Sequence, residues 1–290
     1  MVLMKAVAFA PGHISGFFEP FYHPASLQRS GSRGAGLSVS LGATSEVVVK
    51  PATVQCIDVC INGKKSSTPV TRFALQSLLQ DALVSVSVNT CLDLPVAQGF
   101  GMSAAGALSA SLALANILKI PSAQALTAAH CAEVQLRTGL GDVIASSFGG
   151  IEIRRQPGLP PWGMIEHIPG KYDVVLCVIG KKMETKKVLS DTKKLEDITQ
   201  EGKYCVKKLL ERPSIEQLFS LSQHFTKKIG LADPKVLEAI DAVRYQGMAS
   251  MCMLGNSVFA VGSTSQLKHI LSLFGKTVVC TVDVYGARIL

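Results

Sequence analysis

The chain has 290 residues, 48% of them hydrophobic and 17% charged, with a formal net charge of +8. That length has room for one large core or two lobes, and so apolar a composition excludes an extended disordered region. No repeat of solenoid or propeller length is present, and the longest apolar stretch, Ala107 to Ile120, is broken by Ser109, Ser111, Asn116 and Lys119. It is too short and too interrupted to span a bilayer.

In chain order, Lys5 to Ala10 is predicted as a strand that ends at Pro11-Gly12, which sets it apart from a signal peptide. Gly36 to Ala43 and Glu46 to Pro51 alternate as two further strands. Asn62-Gly63 marks a hairpin turn after Gln55 to Asn62. A helix is predicted over Arg72 to Asp81 and a strand over Ala82 to Thr90. A glycine turn then leads into a small-residue helix reaching Lys119, and Ser122 is a candidate N-cap for a helix to Arg137.

Four prolines and the single tryptophan cluster between Arg154 and Pro169, a segment that reads as a connection between lobes. Beyond it, Tyr172 to Ile179 is a buried strand by its continuous apolar run. Three helices follow between Leu195 and Arg244, divided by Pro213 and Pro234, both placed in a first helical turn. Two strands flank Leu254-Gly255-Asn256, and a helix over Gln266 to Phe274 precedes a final strand, Thr277 to Tyr285. The expected fold is α+β with two α/β lobes, residues 1–165 and 166–290.

The eight cysteines form no C-x-x-C pair, and most stand among aliphatic residues. They read as small buried hydrophobes of a reducing cytoplasm and not as metal ligands. The lysines between Lys181 and Lys208 alternate with Glu184, Asp191, Glu196, Asp197 and Glu201, the pattern of a solvated face. Aromatic residues make up 6% and do not interleave with the basic ones as base-stacking surfaces do. A basic nucleic-acid-binding protein nevertheless stands as the alternative from another class.

Leu94 to Ala107 reads LPVAQGFGMSAAGA. Glycines at 99 and 101 let backbone N–H groups turn inward, and the following helix aims its positive end at the same place. The object is an anion cradle, with Ser103 able to offer a hydroxyl to a magnesium ion; the plainer reading is a tight strand-to-helix loop.

This segment resembles the proline-led phosphate motif of the GHMP kinase superfamily through Gly99, Gly101, Ser103, Ala104 and Ala105, with Phe100 and Met102 as departures. Ala10 to Glu19 resembles that family's first motif, with His13 where a lysine is frequent. Thr138 to Asp142, followed by Phe148-Gly149-Gly150, resembles the segment bearing its catalytic aspartate, and Met253 to Ala260 is a reduced form of its third motif. A narrower resemblance, to the archaeal pantoate kinases, is carried by His13 to Phe18 and by Gly31-Ser32-Arg33-Gly34-Ala35-Gly36. In the second half it is carried by Thr185, Leu189, Asp191, Gly202 and Pro213-Ser214 to Phe225.

The resemblance implies a ribosomal-protein-like first lobe and a ferredoxin-like second lobe. It also implies transfer of phosphate from ATP, with Mg2+, to pantoate, and it is compatible with a homodimer. Homoserine, shikimate or mevalonate are the alternative acceptors within the superfamily. Phosphate would lie on the backbone of Gly99 to Ala105, magnesium on Ser103 and Glu133, and Asp142 would be the general base. His13 and Ser15 would contact the acceptor, and Arg33, freed by flanking glycines, would grip its carboxylate. Arg154 and Arg155 are weaker candidates for that carboxylate and read as solvated at a strand end. Glu133 has the alternative reading of a surface glutamate, and Asp142 that of a cap on a helix starting at Val143.

Overall fold

The computed structural model describes residues 4–183, 188 and 191–290. Thr185, Leu189 and Glu184 lie outside the described residues. In the first sheet, β1 (Met4–Phe21) pairs antiparallel with β2 (Gly31–Pro51) along its whole length, and β5 (Val84–Leu92) follows on the far side of β2. β3 (Cys56–Ile61) lies parallel to β5, with the short β4 (Lys64–Lys65) beyond it. The turn between β3 and β4 is the expected Asn62-Gly63, both residues at positive φ. The outer end of β2 carries β6 (Ile151–Gln156) and then β7 (Met164–Ile168).

Two predicted breaks are absent. β1 does not stop at Pro11-Gly12 but shifts register between these residues and again between Ser15 and Phe17, so the strand bends and continues. The two strands predicted between Gly36 and Pro51 are one, β2. The proline-rich connection forms the β6–β7 hairpin, and a cut at residue 165 would fall inside β7.

Helices α1 (Pro69–Leu79), α2 (Met102–Leu118), α3 (Ser122–Leu136) and α4 (Asp142–Phe148) cover the first sheet. α2 is apolar around nearly its whole circumference, as a helix buried on all sides must be. Its buried Ser109 is satisfied by Ser45 Oγ at 2.7 Å, which also meets Thr90 Oγ1 at 2.8 Å. Ser122 is the first residue of α3 and not its cap, which is Pro121.

The second sheet contains β8 (Asp173–Val178), β9 (Gly247–Met251), β10 (Ser257–Gly262) and β11 (Lys276–Thr281), all antiparallel in the order β11-β8-β10-β9. With α5 (Thr192–Glu211), α6 (Ile215–Ile229), α7 (Pro234–Ala242) and α8 (Thr264–Leu271) in the connections, this is the expected ferredoxin-like arrangement. Asp233 caps α7 ahead of Pro234 as predicted. Pro213 instead precedes the cap of α6, Ser214, whose hydroxyl accepts from Gln217 N–H. The chain ends in β12 (Arg288–Ile289), which returns to pair with β1 in the first sheet.

β1 is the element both halves share. Gly202 on α5 sits where a Cβ would lie 2.1 Å from the Phe18 carbonyl oxygen, and Gly16 lies equally close to Ser222 on α6. Phe17 and Phe18 pack against Phe225, closing the seam between the sheets. Cys177, Cys205, Cys252 and Cys280 are buried as expected, whereas Cys56 and Cys91 are exposed. No described helix is long and apolar enough to cross a membrane.

Candidate active site

The register of β1 and the end of β5 deliver the glycine turn to the mouth of a cleft. Gly99 and Gly101 have φ of +78° and +61°, a region other residues enter only at a cost. Gly101 is also the N-cap residue of α2 and offers no side chain to the first N–H groups of the helix, which stay available for an anion. The turn is pinned on both sides. The Phe100 carbonyl accepts from His13 N–H at 3.0 Å, and a Cβ on Gly255 would lie 2.0 Å from the Gln98 carbonyl carbon. The reduced third motif therefore packs directly on the turn, with Leu254 at a φ of +60°.

The two departures from the motif pattern, Phe100 and Met102, are buried side chains that anchor the loop from below. Ala104 and Ala105 are buried against the core, while Ser103 stands exposed at the cleft. The cleft is lined by Gly99 to Ala104, by Ser15 and Ser32, and by Glu133 and the run from Thr138 to Asp142. It adjoins a mainly apolar cavity of about 350 Å³ that shares Met102, Ser103 and Thr138 with it and extends to Val70 and Val96.

Glu133 is not a surface residue. It is 2% exposed and accepts hydrogen bonds from Ser103 Oγ at 2.9 Å and Thr138 Oγ1 at 3.0 Å. Burial, reinforced by the charge of Asp142, pushes its carboxyl up to about 7 against the lowering effect of those two bonds. α4 begins at Asp142, one residue earlier than a helix from Val143, so its N-cap position is Gly141 and Asp142 is not the cap. Gly139 separates the two carboxylates: a Cβ there would lie 2.0 Å from Glu133 Oε2 and 3.5 Å from Asp142 Oδ2. A hydroxyl and a carboxylate, beside a second carboxylate and a space that only glycine leaves open, fit a hard divalent cation. Among the described residues no group of three or more His, Cys, Asp or Glu side chains could hold a metal ion.

His13 lies one layer deeper than expected. Its ring is fully buried, with Nδ1 2.7 Å from Asp142 Oδ1 and Nε2 2.9 Å from Glu152 Oε1, so it reaches the cleft through Asp142 and not directly. Burial works to lower its pKa, but the charge of Glu152 and the bonds to both carboxylates outweigh this and hold it above 6.5. Ser15 is at the cleft and accepts from Arg154 Nη2 at 3.1 Å. Arg33 is not among the cleft residues: its guanidinium donates to Glu19 at 3.0 Å and to the Arg155 carbonyl at 3.0 Å.

Arg154 overturns its reading as a solvated strand-end residue. It is 1% exposed, ion-paired with Glu152, and its Nε has no partner among the described residues. Arg155 is exposed and pairs with Glu166. Glu152 was not singled out by the sequence at all. The available signal was Ile151-Glu152-Ile153-Arg154, which puts two opposite charges on one face of a strand directly after Gly149-Gly150.

A mixed sheet that runs through a glycine turn into a buried small-residue helix, beside a ferredoxin-like sheet, is the architecture of a small-molecule kinase. The family described as GHMP kinases N terminal domain matches residues 70–150, the stretch holding the turn, Glu133 and Asp142. The chain belongs to the pantoate kinase family. It is 35% identical over 262 residues to a pantoate kinase of Thermococcus kodakarensis, an alignment covering 88% of this chain and 86% of the relative. The pantoate kinase of Methanocaldococcus jannaschii is 30% identical, covering 94% and 99%. A solved phosphotransferase related to the CoA biosynthesis pathway superposes with a TM-score of 0.90 at 30% identity over 99% of both chains. A mevalonate diphosphate decarboxylase from Staphylococcus aureus, 11% identical with a TM-score of 0.73 over 100% of this chain and 98% of its own, shares the fold.

Proposed function

We propose that this protein transfers the terminal phosphoryl group of ATP to the primary hydroxyl of pantoate, giving 4-phosphopantoate on the archaeal route to coenzyme A. The observation that carries the reading is convergence. The uncapped start of α2, the Ser103 hydroxyl and the carboxylates of Glu133 and Asp142 open onto one cleft, in a chain with a pantoate kinase relative at 35% identity.

In this reading the backbone N–H groups from Gly99 to Ala104 hold the phosphates, Ala105 N–H being bonded instead to the Gly101 carbonyl at 2.9 Å, and the apolar cavity beside Ser103 receives the base. Mg2+ would be held by Ser103 and Glu133 and would neutralise charge on the phosphates. Asp142 accepts the proton of the attacking hydroxyl; it is partly exposed and faces the cleft. Ser15 lies on the acceptor side. For the acceptor carboxylate, Arg154, with its unpartnered Nε behind Ser15 and Ser32, is better placed than Arg33, which would first have to leave Glu19. The proposal includes a nucleotide-binding lobe and a second lobe dividing past Ile168 instead of at 165, a cytoplasmic location and a possible homodimer.

The test is a panel assay. Purified protein with Mg-ATP is offered pantoate, homoserine, shikimate or mevalonate, with ADP release measured and the product identified by phosphorus NMR. Turnover with pantoate alone is expected. Turnover that is greater with another acceptor, or absent with all four, refutes the assignment.

A further inference from the structure

We propose that His13 and Glu152 form a buried positioning pair: Glu152, which never reaches the cleft, holds the imidazole so that Nδ1–H donates to Asp142 and aims that carboxylate at the acceptor. The proposal rests on the reading of Asp142 as the acceptor-facing base and assigns a role to two residues behind it.

The argument begins with donors and acceptors. An ionised carboxylate only accepts, and a neutral imidazole has one N–H to give. His13 meets a carboxylate oxygen at each ring nitrogen, at 2.7 Å and 2.9 Å, with its side chain fully buried. Both contacts are satisfied at once only by the doubly protonated ring. Arg154 Nη1 also donates to Glu152 Oε1, which explains why Nη1 and Nε2, two donors, approach to 3.3 Å: they converge on one oxygen.

Charge leads to the same state. β1 contributes His13 and the neutral Ser15, β6 contributes Glu152 and Arg154, and α4 contributes Asp142. β2 faces the group with glycines, and Glu133 on α3 lies beyond Asp142. With an imidazolium, the two cations and two carboxylates in contact balance. With a neutral ring, a net negative charge would remain on a group of which only Asp142 reaches water, a costly arrangement for the buried Glu152.

The backbone is shaped around the pair. A Cβ on Gly36 would lie 2.8 Å from His13 Nε2, and one on Gly34 2.9 Å from Arg154 Nη2. The Gly31-to-Gly36 stretch that carries the narrower resemblance thus serves in part to let β2 close over this network. His13 N–H is bonded to the Phe100 carbonyl, so the same residue ties the base to the phosphate turn.

The experiment has two arms. In the first, the ligand-free protein is titrated by nitrogen NMR of its histidine rings, with the His13 signals assigned by their absence in His13→Asn. His13 is expected to stay doubly protonated well above pH 6.5, and Glu152→Gln is expected to move its midpoint down by about one pH unit or more. In the second, kcat and KM are measured against pH. Glu152→Gln should lose about tenfold or more in kcat at pH 8 and much less at pH 6, part of the ~10² to 10⁴ a positioned base supplies. The KM for ATP should stay within about twofold, because Glu152 does not touch the phosphate turn and His13 meets it through its backbone N–H, which this substitution leaves in place. Glu152→Asp should recover part of the loss. A wild-type His13 midpoint at or below 6.5, or superimposable kcat–pH profiles for wild type and Glu152→Gln, overturns the proposal. The NMR arm needs no substrate, so it decides the role of the pair even if pantoate is not the acceptor. Should Glu152→Gln fail to fold, the titration of the unmodified protein decides alone.

Discussion

Replacing Glu133 with glutamine should stabilise the ligand-free protein at pH 8 while removing most of its turnover. The magnitude follows from the carboxyl's displacement from 4.5 to about 7 by burial and by the Asp142 charge. The folded state binds this proton more tightly than the unfolded chain. The contribution to stability is therefore full below pH 4.5, lost as pH rises to about 7, and flat beyond. The total is about 3 kcal/mol, at 1.36 kcal/mol for each pH unit of displacement. Glutamine has the same shape, keeps an oxygen for Ser103 and Thr138, and turns an amide instead of a second charge towards Asp142. Relative to wild type, Glu133→Gln should be near neutral at pH 4.5 and about 3 kcal/mol more stable at pH 8, or roughly 5 °C in Tm for a chain of this size. The assay is thermal unfolding at the two pH values in a chelator, repeated with Mg-ATP, where wild type should gain protection and the variant little. An equal Tm at pH 8, or the same gain at both pH values, would show that Glu133 is not a strained buried acid.

Asp142→Asn should fold, lose about 1–3 kcal/mol of stability because the buried His13 ring loses one charged partner, and lose roughly 10² to 10⁴ in kcat; near-normal turnover would remove Asp142 from the chemistry. Arg154→Ala should raise the KM for pantoate far more than that for ATP, measured by ADP release, and should exceed Arg33→Ala in this respect; the reverse order would return Arg33 to the acceptor site. Gly255→Ala forces a Cβ against the Gln98 backbone, so stability should fall by about 1–3 kcal/mol in a denaturant titration and the KM for ATP should rise as the turn shifts. An unchanged Tm and KM would mean that the third motif does not brace the turn.

What the sequence made legible was written in the backbone. Glycines 99 and 101 announce positive φ, Asn62-Gly63 a hairpin, Asp233-Pro234 a helix start, and none of these depends on distant partners. The buried charges were illegible for the opposite reason. Glu152 and Arg154 are tolerable in the core only because His13 and Ser15 meet them from a strand some 139 residues earlier in the chain. Local pattern prices an arginine near a strand end as solvated, and only the β1–β2–β6 register reverses that. The same holds for β1, where Pro11-Gly12 reads as a stop until the register shifts show β2 accommodating it.

The reduced third motif carries the point further. As sequence it is a glycine motif with most of its glycines missing. In the fold, a Cβ on Gly255 would lie 2.0 Å from the Gln98 carbonyl carbon, so its absence lets the motif pack on the backbone of the turn, and Ser257 Oγ donates to the Gln98 carbonyl oxygen. Gln98 Nε2 in turn donates to the Gly180 carbonyl at 3.0 Å, and Met183 N–H to the Ala97 carbonyl at 3.0 Å. The second half of the chain thus holds the glycine turn through hydrogen bonds and one close approach, and these do not need a run of glycines. Loss of the motif's glycines is therefore compatible with an intact site, because the turn, and not the motif that braces it, presents the N–H groups.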